Sequence, residues 1–461
     1  MAAFSGISAA CSGVGVERLG LLYGTFAALA GGRALYEVTW GLSAWASRVR
    51  ESAPVGDALA VLNRLEQGRP YGGFLTPAAL GCFLAMTIPA VAAWSMGKQG
   101  RSRAVGLAAA AVGAGGLVAT RSVSAMVALA AALLLAGLRG RMALRLVAIA
   151  TGAIVLAILA AGIARPDAVF APTREDSPWR LRAGNVRVAL AIARDHPLAG
   201  VGPGGYAEAF PQYRRPGDNE SRHAHDLPAE LIAEWGIPVG LTLSACFFWL
   251  FLGPLARGAR DPRTLESGLT IGIAAFAVHN LIDFTAFLPS LLLFAAVSRG
   301  LIAGRVARER AWPPGRAAWV ALFVVIAALI AGSGLARDAL FDAREAAASG
   351  DHAGAERLAV RAQTFAPWDA DPPQFTAEAR LAAAPGDVDA LADAERAVLR
   401  APSRAAARAV RARARSAAGD APGAQADFAA AASLYPMRPD YAAQRDAFAD
   451  ALRKAGEAAP R

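Results

Sequence analysis

Long apolar runs fill the first three-quarters of the chain and are separated by short polar gaps. A helix needs about 20 apolar residues to cross a bilayer, and several runs approach this length. We therefore predict an all-α fold, a polytopic membrane helical bundle of about nine spans. The predicted spans are residues 19–45, 74–96, a pair within 105–138, one ending near 163, 229–252, 265–284, 288–302 and 317–335.

The run from 105 to 138 is apolar throughout except near its middle, at Thr120, Arg121 and Ser122. It is too long for one span and just long enough for two, at about 1.5 Å of rise per residue. The pattern therefore predicts a tight helical hairpin with Arg121 at its turn.

Arginine-rich gaps alternate with gaps of other composition, and this alternation predicts orientation. The basic gaps are residues 98–103, 139–145, 257–263 and 305–316. Cytoplasmic loops are enriched in Lys and Arg, so we expect these four gaps on the cytoplasmic side. The alternate gaps, which include Arg121, residues 164–228 and the C-terminal region, are then expected outside. We predict a membrane domain over residues 1–335 with an extracytoplasmic catalytic loop at 164–228.

From Arg337 onward the composition changes to alanine-rich segments with charged faces. A Gly-Asp pair recurs 16 or 17 residues before a proline, at Gly350 and Pro367, Gly386 and Pro402, and Gly419 and Pro436. The units start 36 and 33 residues apart, close to the tetratricopeptide period of about 34 residues. Residues 336–461 are predicted to form a soluble α-solenoid of tetratricopeptide-like repeats, and the alternative is a plain alanine-rich bundle.

Composition agrees with a membrane protein, because 18% of residues are charged against about 25% in soluble domains. The formal net charge of +10 does not indicate nucleic-acid binding. The arginines are spread over short gaps between apolar runs instead of forming one basic face. Nucleic acid is therefore not an expected partner.

A polar stretch from Arg182 to Gly240 contains most of the candidate chemistry. Arg182 lies four residues before Val186 and seven before Ala189, on the apolar stripe of a predicted helix. A buried arginine needs an anionic partner. The partner is either a phosphate or pyrophosphate group, which guanidinium binds bidentately, or an acidic side chain such as Asp176 or Asp226.

A glycine cluster at 200–205 follows Pro197. Glycines let the backbone approach an anion closely, but this cluster lacks the Lys-Ser/Thr ending of a phosphate-binding Walker loop. A tight structural turn is the favoured interpretation, and an anion cradle is the alternative.

His225 is the candidate general base, since it precedes Asp226, a predicted N-cap of the next helix, with Pro228 in the first turn. The positive end of the helix disfavours the charged imidazolium form, and a neutral imidazole can accept a proton from a hydroxyl. The alternative is a loop histidine with a purely structural role. His223 and His225 alone do not provide metal-ligand spacing, so no metal and no cofactor are predicted.

His279 and Asp283 are expected at the outer end of a span, where ionisable groups are functional candidates. They are four residues apart and would share one face of a continuous helix. Either a structural hydrogen bond between them or a supporting catalytic role would account for the pair.

Four segments taken together resemble the O-antigen ligase and O-antigen polymerase family of bacterial envelope glycosyltransferases. They are Arg182 at the start of an amphipathic helix, DHPLAGVGPGGY at 195–206, HDLPAELIAEWG at 225–236, and HNLIDFTAFLP at 279–289. His225, Glu234 and Gly236 keep the spacing of the family's second motif, which selects His225 over His223. The resemblance extends over about residues 72–304.

The resemblance implies an inverting, metal-independent transfer of a glycan from undecaprenyl pyrophosphate to an acceptor hydroxyl. This would occur at the outer face of the bacterial cytoplasmic (inner) membrane. His225 would activate the acceptor, and the pyrophosphate would be bound by Arg121, Arg182, Arg214 and Arg215. Supporting roles are expected for Asp226, Glu234, His279 and Asp283.

The sequence leaves the acceptor open. A lipid acceptor would make the chain a ligase, a glycan acceptor a polymerase, and a protein acceptor an O-oligosaccharyltransferase. The repeat region is a possible docking site for a protein partner, and membrane lipids surround the spans. A different class also remains, a non-catalytic carrier or flippase for a polyprenyl-linked glycan, which would need phosphate-binding arginines but no general base.

Overall fold

The structure is a computed structural model that describes residues 15–51, 57–139, 151–152, 154–155, 177–256, 261–306 and 316–458. Within these ranges the regular secondary structure is helical and there are no strands, so the all-α prediction is confirmed for them. By packing, the chain divides into two compact units. The first contains residues 1–186, 224–231 and 239–316, and the second contains 187–223, 232–238 and 317–461.

The helices before residue 316 are numbered in chain order. They are α1 (Val16–Tyr36), continued by a π-helical turn (Glu37–Gly41), α2 (Leu42–Glu51), α3 (Asp57–Glu66), α4 (Pro77–Met96), α5 (Gly100–Ala119), α6 (Val123–Leu138), α7 (Pro178–Asp195), α8 (Tyr206–Tyr213), α9 (Leu227–Trp235), α10 (Ile237–Ala256), α11 (Leu265–His279), a 3₁₀ turn (Thr285–Phe287) and α12 (Pro289–Val306).

Three of the described helices, α4, α5 and α10, are long and apolar enough to cross a membrane. Shorter apolar helices occur at Val123–Leu138, Leu265–His279 and Pro289–Ala303. These helices are those of a membrane protein. The predicted span that ends near residue 163 lies almost entirely outside the described residues, and the total of about nine spans stays a prediction.

The predicted turn is confirmed, with Arg121 in the short connection between α5 and α6. Both helices pack against α4 instead of forming a closely packed pair with each other, so the tight hairpin itself is not confirmed. Ser122 caps α6, because its hydroxyl accepts the Ala125 N–H at 3.4 Å. The Thr120 hydroxyl accepts the N–H of Ser122 at 3.1 Å, which closes the turn. The polar triplet inside this apolar run therefore ends one helix and caps the start of the next.

Helix α4 lies at the centre of the first unit and packs against α1, α5, α6 and α11. Glycines bring α11 against the backbone of α4. A Cβ on Gly268 would lie 2.2 Å from the Pro89 carbonyl oxygen, and one on Gly272 would lie 2.2 Å from that of Met86. Small residues at such crossings allow the close approach typical of membrane helices.

Two predicted spans differ from the helices observed. The predicted span 229–252 is broken at Gly236, which has φ +77° and separates α9 from α10. The Ile237 N–H donates to the Pro197 carbonyl at 2.8 Å instead of continuing the helix. The predicted span 265–284 ends as a helix at His279, and the chain then turns. Polar residues mark both places, Glu230 and Glu234 before Gly236 and Asn280 and Asp283 after His279, but the span predictions did not use them.

The helices after residue 316 are α13 (Arg316–Ala348), α14 (His352–Phe365), α15 (Asp371–Ala383), α16 (Ala390–Arg400), α17 (Ala405–Ala417), α18 (Ala421–Leu434) and α19 (Pro439–Ala458). From α14 onward each helix packs against the next one. Helix α13 continues without a break through the predicted domain boundary at 335/336, so that boundary stays a prediction.

The first and third predicted repeats begin in the same way. Gly350 and Gly419 have φ +85° and +80°. Asp351 caps α14 by accepting the Gly354 N–H at 2.8 Å, and Asp420 caps α18 by accepting the Gly423 N–H at 2.9 Å. The sequence repeat is therefore also a repeat of local structure, while its assignment to the tetratricopeptide type and to a solenoid stays a prediction.

Candidate functional site

A cavity of about 190 Å³ in the first unit brings together residues from five separate segments. The charged and titratable side chains that line it are Arg69, Arg121, Arg182, His225 and Asp283. All of them lie at or near helix ends: before α4, between α5 and α6, early in α7, before α9 and after α11. The backbone turns at one end of the bundle therefore present a concentrated set of cations to one small space.

His225 is positioned by the two stretches that pair around it. The Leu227 N–H at the start of α9 donates to the Asn280 carbonyl at 2.8 Å, which joins the HDLP stretch to the HNLID stretch. On the other side, the Ala224 N–H donates to Oε2 of buried Glu230 at 2.8 Å. These bonds bring the turn that contains His225 up against the segment after α11.

Asp226 caps α9 as predicted, since its Oδ1 accepts the Ala229 N–H at 2.8 Å. Burial raises the pKa of the Asp226 carboxyl, and the hydrogen bond from Ala229 opposes that rise only in part. His225 therefore lies immediately outside a capped helix N-terminus, as the sequence predicts.

Arg121 and His225 have a left-handed backbone, with φ values of +49° and +57°. Among the described residues they are the two non-glycine residues with positive φ. This conformation costs of order 1–3 kcal/mol and is concentrated at functional sites, where surrounding contacts maintain it. Both strained residues line the same cavity, which supports a functional site there.

Asp283 links the candidate base to a candidate phosphate ligand. Its Oδ1 lies 3.4 Å from Nδ1 of His225, and its Oδ2 lies 3.5 Å from Nη2 of Arg182. Burial of this carboxyl opposes its ionisation, but the contacts with His225 and Arg182 outweigh burial and hold the pKa of Asp283 below its usual range. A charged Asp283 can therefore orient the imidazole of His225 and the guanidinium of Arg182 together.

Aromatic rings restrict both partners of Asp283. The His225 ring packs edge-on against Phe284, with ring centroids 4.8 Å apart and an interplanar angle of 87°. The Arg182 guanidinium lies 5.9 Å from the ring centroid of Trp179. The acidic partner of Arg182 is thus Asp283. The predicted alternative Asp226 serves as a helix cap, and Asp176 lies outside the described residues.

His279 bonds to groups other than Asp283, contrary to the hydrogen bond considered for an i, i+4 pair. Its Nδ1 lies 3.0 Å from the Thr285 hydroxyl, and its Nε2 lies 3.2 Å from the Ser124 hydroxyl. The helix ends at His279, so the next four residues do not complete a helical turn. His279 is buried and connects the start of α6 to the turn after α11. Its partner Ser124 is one of the residues that line the cavity.

Arg69 lines the cavity but carried no signal in the sequence analysis. Its Nε donates to the Thr120 carbonyl at 3.0 Å, in the turn that contains Arg121. Arg69 lies in a segment of mixed composition before α4, where no local pattern singles it out. The fold brings it next to Thr120, which is 51 residues away in the sequence.

Arg214 and Arg215 are not among the residues that line this cavity. Arg214 pairs with Glu220 at 3.0 Å, and its guanidinium lies 5.7 Å from the Tyr435 ring centroid. The backbone N–H of Arg215 donates to Asp218 at 2.7 Å. Their assignment to pyrophosphate binding stays a prediction.

The glycine cluster and Glu234 form a structural junction in the second unit. The N–H groups of Val201 and Gly202 donate to the carbonyls of Ala233 and Glu234 at 3.0 and 2.9 Å. A Cβ on Gly200 would lie 2.3 Å from the Glu234 backbone. Oε1 of Glu234 accepts the Tyr206 N–H at 3.4 Å. The favoured interpretation of the cluster as a structural turn is therefore confirmed.

Within the described ranges, no group of three or more His, Cys, Asp and Glu side chains is arranged to hold a metal ion. The prediction that the protein uses no metal is not tested by this observation and stays a prediction.

A comparison with known families identifies a match for the region that contains most of the cavity's charged residues. Residues 108–244 match the family model described as O-antigen ligase. Over these residues the chain is similar to the O-antigen ligase family. The matched segment includes Arg121, Arg182, the glycine cluster and His225, and it ends before His279 and Asp283. No curated protein and no solved structure matches the chain. The match supports a membrane enzyme that transfers glycans.

Proposed function

We propose that this protein transfers a glycan from undecaprenyl pyrophosphate to an acceptor hydroxyl, with inversion at the anomeric carbon and without a metal. The single observation that supports this most is the cavity in which Arg121, Arg182 and His225 lie together around Asp283. Cations for a departing pyrophosphate and a base for an acceptor hydroxyl are the two requirements of such a transfer.

The arginines supply the leaving-group side of the reaction. Three guanidinium groups, from Arg69, Arg121 and Arg182, line the cavity, and Asp283 contributes one opposing charge. The cavity volume of about 190 Å³ is far more than one water molecule needs, so the cavity has room for a small polyanion. Guanidinium donors fixed before the reaction stabilise the charge that develops on the departing pyrophosphate.

The histidine supplies the acceptor side. With Nδ1 directed at Asp283, Nε2 of His225 is the ring nitrogen left to accept a proton. The acceptor oxygen forms a bond to the anomeric carbon while the bond from that carbon to the pyrophosphate oxygen breaks. The acceptor proton goes to His225, and the electron pair of the broken bond goes to the pyrophosphate. The products are the glycosylated acceptor and undecaprenyl pyrophosphate.

We further propose that the cavity opens at the outer face of the bacterial cytoplasmic membrane. The cavity lies at the helix ends formed by the start of α4 and the α5–α6 turn. The basic residues Lys98, Arg101, Arg139 and Arg263 lie at or just beyond the opposite ends of α4, α5, α6 and α11. This distribution agrees with cytoplasmic basic gaps under the positive-inside rule. An outer-face cavity is where an acceptor lipid, glycan or protein would be available.

The proposal is tested by replacing His225 in the full chain. We expect His225→Ala to lower glycan transfer by at least about 10²-fold, since a positioned general base contributes about 10²–10⁴. Transfer to the acceptor is measured in membranes from an expressing strain, together with the amount of inserted protein. His223→Ala, two residues away and outside the cavity lining, is the matched control and should keep normal transfer.

Unchanged transfer by His225→Ala would reject the general base and would favour a carrier or flippase, which needs no proton acceptor.

The choice among ligase, polymerase and protein O-oligosaccharyltransferase depends on the acceptor. Supplying a lipid, a lipid-linked repeat or a polypeptide as the acceptor in the same assay distinguishes them.

A further inference from the structure

We infer that Arg69 is a positioning residue of the phosphate cavity, which holds Arg121 in its binding conformation through the Thr120 carbonyl. This inference rests on the proposed function, because it concerns the site at which the donor pyrophosphate would bind. Four contacts within the first unit support it.

The first observation is the strain at Arg121. Its φ of +49° follows the end of α5, where the Arg121 N–H donates to the Val118 carbonyl at 3.0 Å and the Thr120 hydroxyl donates to the Leu117 carbonyl at 2.6 Å. A left-handed residue with a side chain persists only where its neighbours hold the backbone in place. The Thr120 carbonyl, immediately before Arg121, has its donor outside the turn, because Nε of Arg69 donates to it at 3.0 Å.

The second observation is that Arg69 belongs to a segment that is itself fixed. Buried Glu37 accepts the N–H groups of Tyr71 and Gly72 at 2.7 and 2.9 Å. Its other oxygen accepts Nε of Arg33 at 2.8 Å. Glu37 begins the π-helical turn after α1, and such turns are frequent at functional sites. The backbone two and three residues after Arg69 is therefore tied to the π-helical turn after α1.

The third observation is that both arginines line the cavity. Arg69 contributes Nε to the turn, and its planar guanidinium adds positive charge beside that of Arg121. One side chain therefore orders the neighbouring cation and increases the charge that faces a phosphate. A lysine at position 69 would keep the charge and one donor, but not the fixed fork of a guanidinium.

A double-mutant cycle on the full chain tests the inference with inorganic pyrophosphate as the probe. Binding to the purified protein in detergent is measured by calorimetry for wild type, Arg69→Gln, Arg121→Gln and the double variant. We expect each single variant to weaken binding about 10- to 100-fold, as for a lost charged hydrogen bond. In the Arg121→Gln background, Arg69→Gln should weaken binding by less than about threefold, because coupled residues are not additive.

Two further variants separate positioning from general stability. Arg69→Lys should bind pyrophosphate within about tenfold of wild type, since an ammonium can still donate to the Thr120 carbonyl. Arg64→Gln makes the same charge change at an exposed position of α3 and should bind normally. Thermal unfolding of every variant shows whether the fold is retained.

Equal losses from Arg69→Gln in the presence and absence of Arg121 would overturn the inference and leave the proposed function intact. Wild-type protein that binds no pyrophosphate would overturn the proposed donor site and this inference with it. Normal binding by Arg69→Gln would overturn the inference alone.

Discussion

The left-handed backbones of Arg121 and His225 lower the stability of the fold at the candidate site. Each left-handed residue costs of order 1–3 kcal/mol, so neighbouring contacts must hold it. For His225 these contacts are the Glu230 carboxylate on one side and the Asn280 carbonyl on the other. For Arg121 they are the bond from its own N–H to the Val118 carbonyl and the bond from Arg69 to the preceding Thr120 carbonyl. Contacts within the protein thus hold both turns, as the proposed stabilisation of charge on a leaving group requires.

Asp283→Asn tests whether one carboxylate organises both halves of the site. The amide keeps the size of the side chain but removes the charge between His225 and Arg182. We expect glycan transfer to fall by at least about 10²-fold, because the imidazole loses its orienting anion. Asp261→Asn, in an exposed turn where Asp261 accepts the Arg263 N–H at 2.9 Å, is the control and should leave transfer unchanged.

The same variant has a defined dependence on pH. The pKa of Asp283 is lower in the fold than its ordinary value of about 3.9. A depressed carboxyl pKa contributes stability above the unfolded pKa, and this contribution is lost as the pH falls through the folded pKa. The difference in thermal unfolding between wild type and Asp283→Asn should therefore be constant near neutral pH and should shrink as the pH falls below about 3.9. A difference that does not change in this acid range would contradict a depressed pKa of Asp283.

Several site residues could be predicted from the sequence because they are ionisable groups at helix ends. Arg121 interrupts an apolar run, His225 precedes a capping Asp, and Asp283 follows a span. Arg69 and Asn280 could not be found in this way. Their roles depend on contacts with the Thr120 carbonyl and the Leu227 N–H, and such contacts between distant segments leave no local pattern.

At the scale of helices, the pattern of apolar residues predicted the turn at Arg121 but not the break at Gly236. A polar triplet is a strong signal in an apolar run, whereas a single glycine is common within membrane helices. Buried Glu230 and Glu234, inside the predicted span 229–252, were the available signal that this segment is not one membrane helix. Each carboxylate accepts a backbone N–H, from Ala224 and Tyr206 respectively.

Arg299 in α12 supplies a hydrogen bond that Pro254 removes from α10. Pro254 lies inside α10 and has no N–H, so the Leu250 carbonyl four residues earlier loses its helical donor. Nε of buried Arg299 donates to that carbonyl at 2.9 Å. A charged side chain within an apolar helix is thereby used to satisfy the backbone of its neighbour.

This compensation predicts a coupling that a double-mutant cycle can measure. Arg299→Met leaves the Leu250 carbonyl without that donor, at a cost of about 1–3 kcal/mol. Pro254→Ala restores a helical N–H to the same carbonyl. We expect Arg299→Met to lower the thermal unfolding temperature less in the Pro254→Ala background than in wild type. Equal decreases in both backgrounds would show that Arg299 does not act through the Leu250 carbonyl.

For the whole molecule, the composition change at Arg337 does not mark a break in packing. The second compact unit joins residues 187–223 and 232–238, which belong to the polar stretch between spans, to residues 317–461. Sequence periodicity predicted the C-terminal helices from their Gly-Asp and Pro positions. It could not predict their partners within residues 187–223, because the complementary charges are almost 200 residues apart.

The contact that defines this packing is centred on Arg404, at the start of α17. Its Nη2 donates to Oε1 of Glu208 in α8 at 2.6 Å, and its Nη1 pairs with Asp371. Burial lowers the pKa of Arg404, but Glu208 and Asp371 outweigh burial and raise it above its usual value. Nearby, the Arg214 guanidinium lies over Tyr435. The C-terminal helices therefore hold α8 in place within the second unit.

Arg404→Gln tests whether the C-terminal helices restrain the segment around α8. We expect faster hydrogen exchange of the amides in Tyr206–Tyr213 in the full chain, measured by mass spectrometry, because breaking a partly buried pair lowers the free energy of local opening. Arg445→Gln makes the same charge change in an exposed pair with Asp446 and should leave exchange of this segment unchanged. Since residues 206–213 lie in the O-antigen ligase segment, glycan transfer should fall several-fold in Arg404→Gln alone. Exchange and transfer at wild-type levels in Arg404→Gln would show that the C-terminal helices contribute nothing to the order of α8.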